Sequence, residues 1–236
     1  HTPIRRQRQM CIRDRVIAGG HSLIPLMKLR MAEVPHLIDL QNITELFGID
    51  VGSKIRIGAM ATQSDIINDS SLASAAPILK EASLQIADPQ IRYMGTVGGN
   101  VANGDPGNDM PGLMQCLDAS FVLRGPDGER EVKARDFYQG AYMTEREDDE
   151  VLVAVNFDTP KGGYAYEKQK RKIGDYATAA AAVIITRDGS VCKRASIAMT
   201  NLSDTPVFCK DASNSLVGTS VTVSYTHLTL PTIRCV

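Results

Sequence analysis

Tryptophan is absent from the 236-residue chain, aromatic residues make up only 5% of it, and there are four histidines. No H-E-x-x-H or comparable histidine spacing occurs, so no metal site is expected. The five cysteines, Cys11, Cys116, Cys192, Cys209 and Cys235, are odd in number and widely spaced. Without a single C-x-x-C pair they supply neither a zinc ribbon, nor a thioredoxin-like motif, nor the ligands of an iron–sulfur cluster. They read as small buried hydrophobes of a reducing compartment. No run of about 18 apolar residues exists, which excludes a membrane-spanning helix. No charged-plus-hydrophobic leader opens the chain, so the expected location is cytoplasmic, with the inner face of the membrane as the alternative.

An excess of charge of one sign is missing too. Lysine and arginine total 26 against 27 aspartate and glutamate, a net charge of −1. The balance hides a local +4 in residues 1–15, which carry Arg5, Arg6, Arg8, Arg13 and Arg15 against Asp14, and leaves residues 16–220 at −6. A polyanion partner wants a basic face, so nucleic-acid binding is not expected. The two ends also differ in texture from the middle. The strings QMCIRDR near the start and VSYTHLTLPT near the end look like translated adaptor read-through. Residues 1–15 and 221–236 are therefore expected to be non-native flanks and are set aside from fold reasoning.

Between the flanks the pattern is α+β. Residues 16–18 and 36–40 read as strands around a helix that runs from Ser22 with Leu23, Leu26, Met27 and Met31 at helical spacing. Residues 54–59 read as a strand, followed by a helix capped by Thr62 or Ser64 and running through Asn68, a helix over 77–87 and a turn at Asp88-Pro89. A short helix is expected over 111–117. The strands 121–124 and 130–133 flank Gly125-Pro126-Asp127-Gly128, a hairpin signal. Residues 145–150 read as an acidic loop and 151–157 as an alternating strand. Thr159 to Gly163 is the best internal boundary. Beyond it, residues 164–168, 177–186 and 191–202 read as strands, the last two joined by a turn at 187–190. Tyr164, Tyr166 and Tyr176 read as sheet packing, and Arg171 and Lys172 as a solvated face.

Two glycine loops are where chemistry could sit. In Ala18-Gly19-Gly20-His21-Ser22, paired glycines allow a sharp turn and close approach of a ligand to the backbone. Ser22 at the helix N-cap leaves free N–H groups and the positive dipole end as a seat for phosphate. The second loop, Gly95-Thr96-Val97-Gly98-Gly99-Asn100, promises closely spaced backbone donors for a pyrophosphate nest. Its G-x-x-G-G spacing is not the Rossmann fingerprint, and no G-x-x-x-x-G-K-[ST] is present. Asp109, just beyond, could accept from ribose or ribityl hydroxyls or simply cap a helix. One dinucleotide could be gripped between the pair.

AGGHSLIPLMKLR at the first loop, MGTVGGNVANGDPGNDMP at the second and YEKQKRKIGDYATAAAAV at residues 166–183 resemble the flavin subunits and domains of the molybdenum hydroxylases. That family includes the flavin subunits of xanthine dehydrogenase and of aerobic carbon-monoxide dehydrogenase. The resemblance runs from about residue 16 to 218. It implies a PCMH-type, vanillyl-alcohol-oxidase-like FAD-binding fold of two subdomains over residues 16–161, then a truncated α+β C-terminal domain over 162–220. Carried over by motif, Ala18, Gly19, Gly20, His21 and Ser22 would line the FAD pyrophosphate, and Thr96, Gly98, Gly99 and Asn100 would close it from the other side. Asp109 matches the acidic position near the ribityl or ribose hydroxyls. Leu152 matches the strand position that packs near the flavin or adenine, and Lys168 matches a further cofactor contact. Relatives carry a βα unit before the first loop and continue several tens of residues past Gly218. An unfinished second domain would leave apolar surface uncovered, so marginal solubility is expected.

The resemblance also implies a role. Flavin passes electrons singly or in pairs, which suits the junction between one-electron clusters and a two-electron acceptor. The expected protein is an electron-transfer subunit: FAD is its own cofactor, while a large subunit holds the molybdenum cofactor and a small one the [2Fe–2S] clusters. The expected assembly is a dimer of heterotrimers, and the acceptor is quinone, NAD or oxygen. No catalytic acid or base is named. The alternative is a self-contained FAD-dependent oxidase or reductase on the same scaffold.

Overall fold

The computed structural model describes residues 15–220. The expected flanks therefore lie almost wholly outside the described residues. The chain enters through a small unit of strand β1 (Arg15–Ile17), helix α1 (Leu23–Lys28) and strand β2 (Leu37–Asp39). β1 and β2 pair in parallel, as a helical crossover requires. α1 buries none of its residues fully. A single 3₁₀ turn at Thr44–Leu46 leads to β3 (Ile49–Val51) and β4 (Lys54–Gly58).

Five short helices follow: α2 (Gln63–Asn68), α3 (Ser70–Ala75), α4 (Pro77–Leu84), α5 (Pro89–Met94) and α6 (Val97–Ala102). Local chemistry punctuates them. Thr62 and Asp65 form a reciprocal capping box on α2, which satisfies two orphan donors at once. Asp69 caps α3 and Asp88 caps α5. Proline opens both α4 and α5, where its missing N–H costs nothing. Asp88-Pro89, expected as a plain turn, is thus a cap followed by the first helical residue.

Helix α7 (Asp109–Cys116) is buried along its whole length. Strands β5 (Ser120–Gly125) and β6 (Gly128–Lys133) form the expected hairpin around Pro126-Asp127. A small hairpin, β7 (Tyr138–Gly140) with β8 (Met143–Thr144), precedes β9 (Val151–Asp158). β9 completes an antiparallel sheet in the order β3-β4-β9-β5-β6. Ile55, Ile57, Phe121, Leu123, Val155 and Phe157 belong to the main core, packed against the helix layer. Val122, Val153 and Ala154 belong to a second cluster with Leu40, Leu46 and Met60, so both faces are covered. The β9–β5 register breaks where Val122 pairs with Ala154 but Leu123 with Leu152. That bulge at Val153 changes which face the start of β9 presents.

Residues 159–162 pass to a second antiparallel sheet: β10 (Gly163–Gln169), β11 (Ala179–Asp188), β12 (Val191–Thr200) and the short β13 (Val207–Phe208), followed by helix α8 (Lys210–Leu216). This sheet lies against α7. Ser196 Oγ donates to the Cys116 carbonyl at 2.6 Å, and Cys116 Sγ to the Ser196 carbonyl at 3.3 Å. A methyl group on Gly112 would stand 2.2 Å from Thr200 Oγ1, so only glycine permits β12 to approach the helix this closely. Burial pushes the Cys116 thiol up to about 12.

Candidate functional site

The first glycine loop turns between β1 and α1, with Gly20 at φ +75°. A Cβ on Gly19 would lie 2.1 Å from the Met94 carbonyl oxygen. The first loop therefore touches the Met94–Gly95 backbone, where the second loop begins, at a position that has no room for a side chain. Among the hydrogen bonds of the described residues, the N–H groups of Gly19, Gly20, His21 and Ser22 donate to no protein acceptor. Ser22 is the N-cap residue, but its hydroxyl makes no capping bond. The loop presents consecutive open donors at a helix start, the arrangement that favours an anion.

The second loop differs from its expectation. Residues 97–102 form α6, and the donors counted on for a nest are already taken. The N–H of Val97 bonds to the Ala61 carbonyl at 2.9 Å and that of Gly98 to the Ala59 carbonyl at 2.9 Å. The N–H of Gly99 donates to Thr96 Oγ1 at 3.1 Å and that of Asn100 to the Thr96 carbonyl at 3.0 Å. A Cβ on Gly98 would lie 2.5 Å from Ala59 Cβ, so this glycine seats α6 on the end of β4. The second loop is a buttress that carries the first.

A cleft of about 920 Å³ opens between the β1–α1–β2 unit, the five-stranded lobe and the β10 side of the second sheet. Its lining includes Ala18, Gly19, Gly20, His21 and Ser22 from the first loop and Thr96, Gly98, Gly99 and Asn100 from the second. Asp109, Leu152 and Lys168 line it as well, so the twelve residues expected to contact the cofactor border one space. Leu152 reaches the cleft from the bulged start of β9.

Asp109 and Lys168 meet across the two sheets' elements, one on α7 and the other on β10. Lys168 Nζ lies 2.8 Å from Asp109 Oδ2, with side-chain exposures of 1% and 5%. The ammonium also donates to the Gln85 carbonyl at 3.2 Å. The other carboxylate oxygen, Oδ1, accepts from the Tyr166 hydroxyl. Burial, then the Asp109 charge, holds the Tyr166 hydroxyl well above its ordinary pKa, so it stays a donor. Tyr166 is thus more than sheet packing. Tyr176, also expected as sheet packing, lines the cleft instead.

This architecture, a nucleotide-sized cleft between a glycine-loop lobe and a second β domain, defines a flavin-binding subunit. The model describing the "FAD binding domain in molybdopterin dehydrogenase" matches residues 12–160, and the chain belongs to that family. The "CO dehydrogenase flavoprotein C-terminal domain" matches residues 164–230. The chain is 58% identical over 210 residues to the carbon monoxide dehydrogenase medium chain of Afipia carboxidovorans, covering 88% of this chain and 73% of that one. To the medium chain of Hydrogenophaga pseudoflava it is 45% identical over 211 residues, with 88% and 74% covered. Among solved structures, the Cu,Mo-CO dehydrogenase superposes with a TM-score of 0.89 at 55% identity, covering 92% of this chain and 77% of that one. Quinoline 2-oxidoreductase from Pseudomonas putida gives 0.86 at 35% identity, with 90% and 75% covered. The fold is therefore that of these oxidoreductase flavoproteins, and the cofactor is FAD.

The residues present fit that cofactor. The cleft lies at the upper end of the size range of small-molecule sites. Two buried polar atoms on its lining residues lack both a hydrogen-bond and an ion-pair partner: Gln63 Nε2, whose own Oε1 accepts from Ser83 Oγ at 3.0 Å, and Asn100 Oδ1; Asp175 Oδ2, also without a hydrogen bond, lies 3.6 Å from Arg171 Nε. Each costs about 1–3 kcal/mol while unpaired, and a ligand rich in both donors and acceptors could relieve both. Gln63 carries no signal in the sequence, where it is one polar residue at a helix start.

Proposed function

We propose that this chain is the FAD-holding electron-transfer subunit of a molybdenum-containing hydroxylase. A large partner subunit carries the molybdenum cofactor and a small one the [2Fe–2S] clusters. The observation that carries the reading is the single cleft shared by the open donors of the first loop, the second-loop buttress and the buried Asp109–Lys168 pair. When bound, FAD supplies the conversion between one-electron and two-electron transfer. The chain's own residues bind and orient it. Gly19 to Ser22 offer N–H groups to the pyrophosphate, and Thr96, Gly98, Gly99 and Asn100 hold that loop in place. Asp109 and Lys168 offer charge-assisted contacts to the hydroxyl-bearing middle of the cofactor, and Leu152 offers an apolar wall. The acceptor in this reading is quinone, NAD or oxygen, the assembly is a dimer of heterotrimers, and its location is the cytoplasm. Among the described residues no helix is long and apolar enough to cross a membrane.

The domains in this reading are residues 16–161 for FAD and 162–220 for the C-terminal flavoprotein unit. The reading is tested by loading the chain with FAD and recording its visible spectrum beside Gly20→Val/Gly99→Val. A two-band flavin spectrum that the double variant lacks supports it. Tagged chain expressed in a host with the partner genes should co-purify with iron- and molybdenum-containing chains. A chain that stays alone and turns substrate over by itself would refute the subunit role.

A further inference from the structure

The Asp109–Lys168 pair raises the question of what holds it. A carboxylate has two oxygens, and when both are buried each needs a partner. Lys168 supplies one from two residues along β10. The other is supplied by Tyr166, whose ring lies within the main core. Phenylalanine would fill the same volume, so the hydroxyl has a role that packing does not explain. Tyr138 gives the contrast: it is also a buried core residue, yet its hydroxyl has no hydrogen-bond partner. Of these two core tyrosines, only Tyr166 spends its hydroxyl on a residue that lines the cleft.

We propose that Tyr166 is a positioning residue for the cofactor: its hydroxyl fixes the Asp109 carboxylate in the orientation that pairs with Lys168, so that strand β10 becomes part of the FAD-binding wall. The inference rests on the FAD reading of the cleft. Tyr166 does not line the cleft itself, and acts only through Asp109. Released from Tyr166, the carboxylate would keep its charge partner but lose its fixed rotation about χ2, and Lys168 would lose its alignment with it.

The test is a cycle on the full chain, titrating apoprotein with FAD and following flavin fluorescence, with far-UV circular dichroism as the check on folding. Tyr166→Phe should weaken FAD binding about tenfold, as expected for losing one hydrogen bond to a charged group. Asp109→Asn should weaken it at least as much, and the double variant should be within twofold of Asp109→Asn alone. Ser196→Ala, which loosens the same domain contact at the far end of α7, should bind FAD within twofold of the wild type. Wild-type affinity in Tyr166→Phe, multiplying effects in the double variant, or equal losses in Tyr166→Phe and Ser196→Ala would each overturn the proposal. Should Tyr166→Phe not fold, hydrogen exchange on the wild type decides. FAD should slow exchange of the 164–169 amides, and unchanged exchange overturns the proposal. If the wild type binds FAD but the variants behave otherwise than stated, only the positioning role fails. A wild-type chain that takes up no FAD overturns the cleft reading and this inference together.

Discussion

Lys168→Met isolates the electrostatics of the cleft floor. Methionine keeps most of the aliphatic volume and removes the ammonium, leaving Asp109 as a buried carboxylate with only Tyr166 as partner. Because the two side chains are 1% and 5% exposed, solvent screening does little to soften the loss. Removing one member of such a pair costs about 3–5 kcal/mol, and the Gln85 carbonyl loses its donor as well. In a chain of this size, with about 2–4 °C per kcal/mol, the melting midpoint should fall by about 6–20 °C. Asp109→Asn/Lys168→Met removes the stranded charge and should recover more than half of that loss. Thermal unfolding followed by circular dichroism at 0.15 M and 1 M salt is the assay. A buried pair is barely screened, so the penalty should be the same at both salts. A loss below about 1 kcal/mol, or one that shrinks by half in high salt, would show the pair to be solvated and refute the reasoning.

Other expectations follow from single residues. Gly98→Ala would force a methyl against Ala59 and should cost at least about 1–3 kcal/mol together with FAD binding. Gly163→Ala, which meets nothing within 4 Å, should be neutral within about 0.5 kcal/mol; chemical denaturation compares the two. Thr62→Ala removes half of the α2 capping box and should cost about 1 kcal/mol with FAD affinity unchanged. At alkaline pH, the folded-state pKa of Cys116, Tyr138 and Tyr166 lies above its ordinary value, chiefly through burial. The unfolded chain therefore gives up these protons first, and stability should fall as pH rises from about 9 towards 12. A pH series of melting midpoints that stays flat over this range would contradict the burial of these groups.

Most of the framework was legible in the sequence. The 121–133 hairpin, the 151–157 strand and the three strands beyond residue 163 follow from alternation and turn residues, and they stand close to where they were expected. Helix α6 was hidden for a physical reason. Two adjacent glycines weaken a helix by about 1 kcal/mol each, so GTVGGN reads as a loop until Gly98 is seen to need its small size against Ala59. α5 was hidden because Asp-Pro serves equally as a turn and as an N-cap with proline at the first helical position. The ring of Tyr166 packs in the core as expected, but its hydroxyl answers to Asp109, 57 positions earlier. Spacing along one strand carries no trace of such a contact.

The two glycine loops look like equals in sequence, since each offers small residues near a helix start. Their hydrogen bonds make them unequal. The second loop's amides are closed by Ala59, Ala61 and Thr96, and its geometry is thereby fixed without any ligand. The first loop's amides remain open, and the small unit bearing them has no fully buried residue in its helix. A donor set is useful to an anion only if it is held in place before the anion arrives, since ordering it on binding would subtract from the affinity. Rigidity must then come from outside the unit, and Gly19 packed on the Met94 carbonyl is where it enters. In the proposed reading, the open loop binds because the closed loop beneath it is already satisfied.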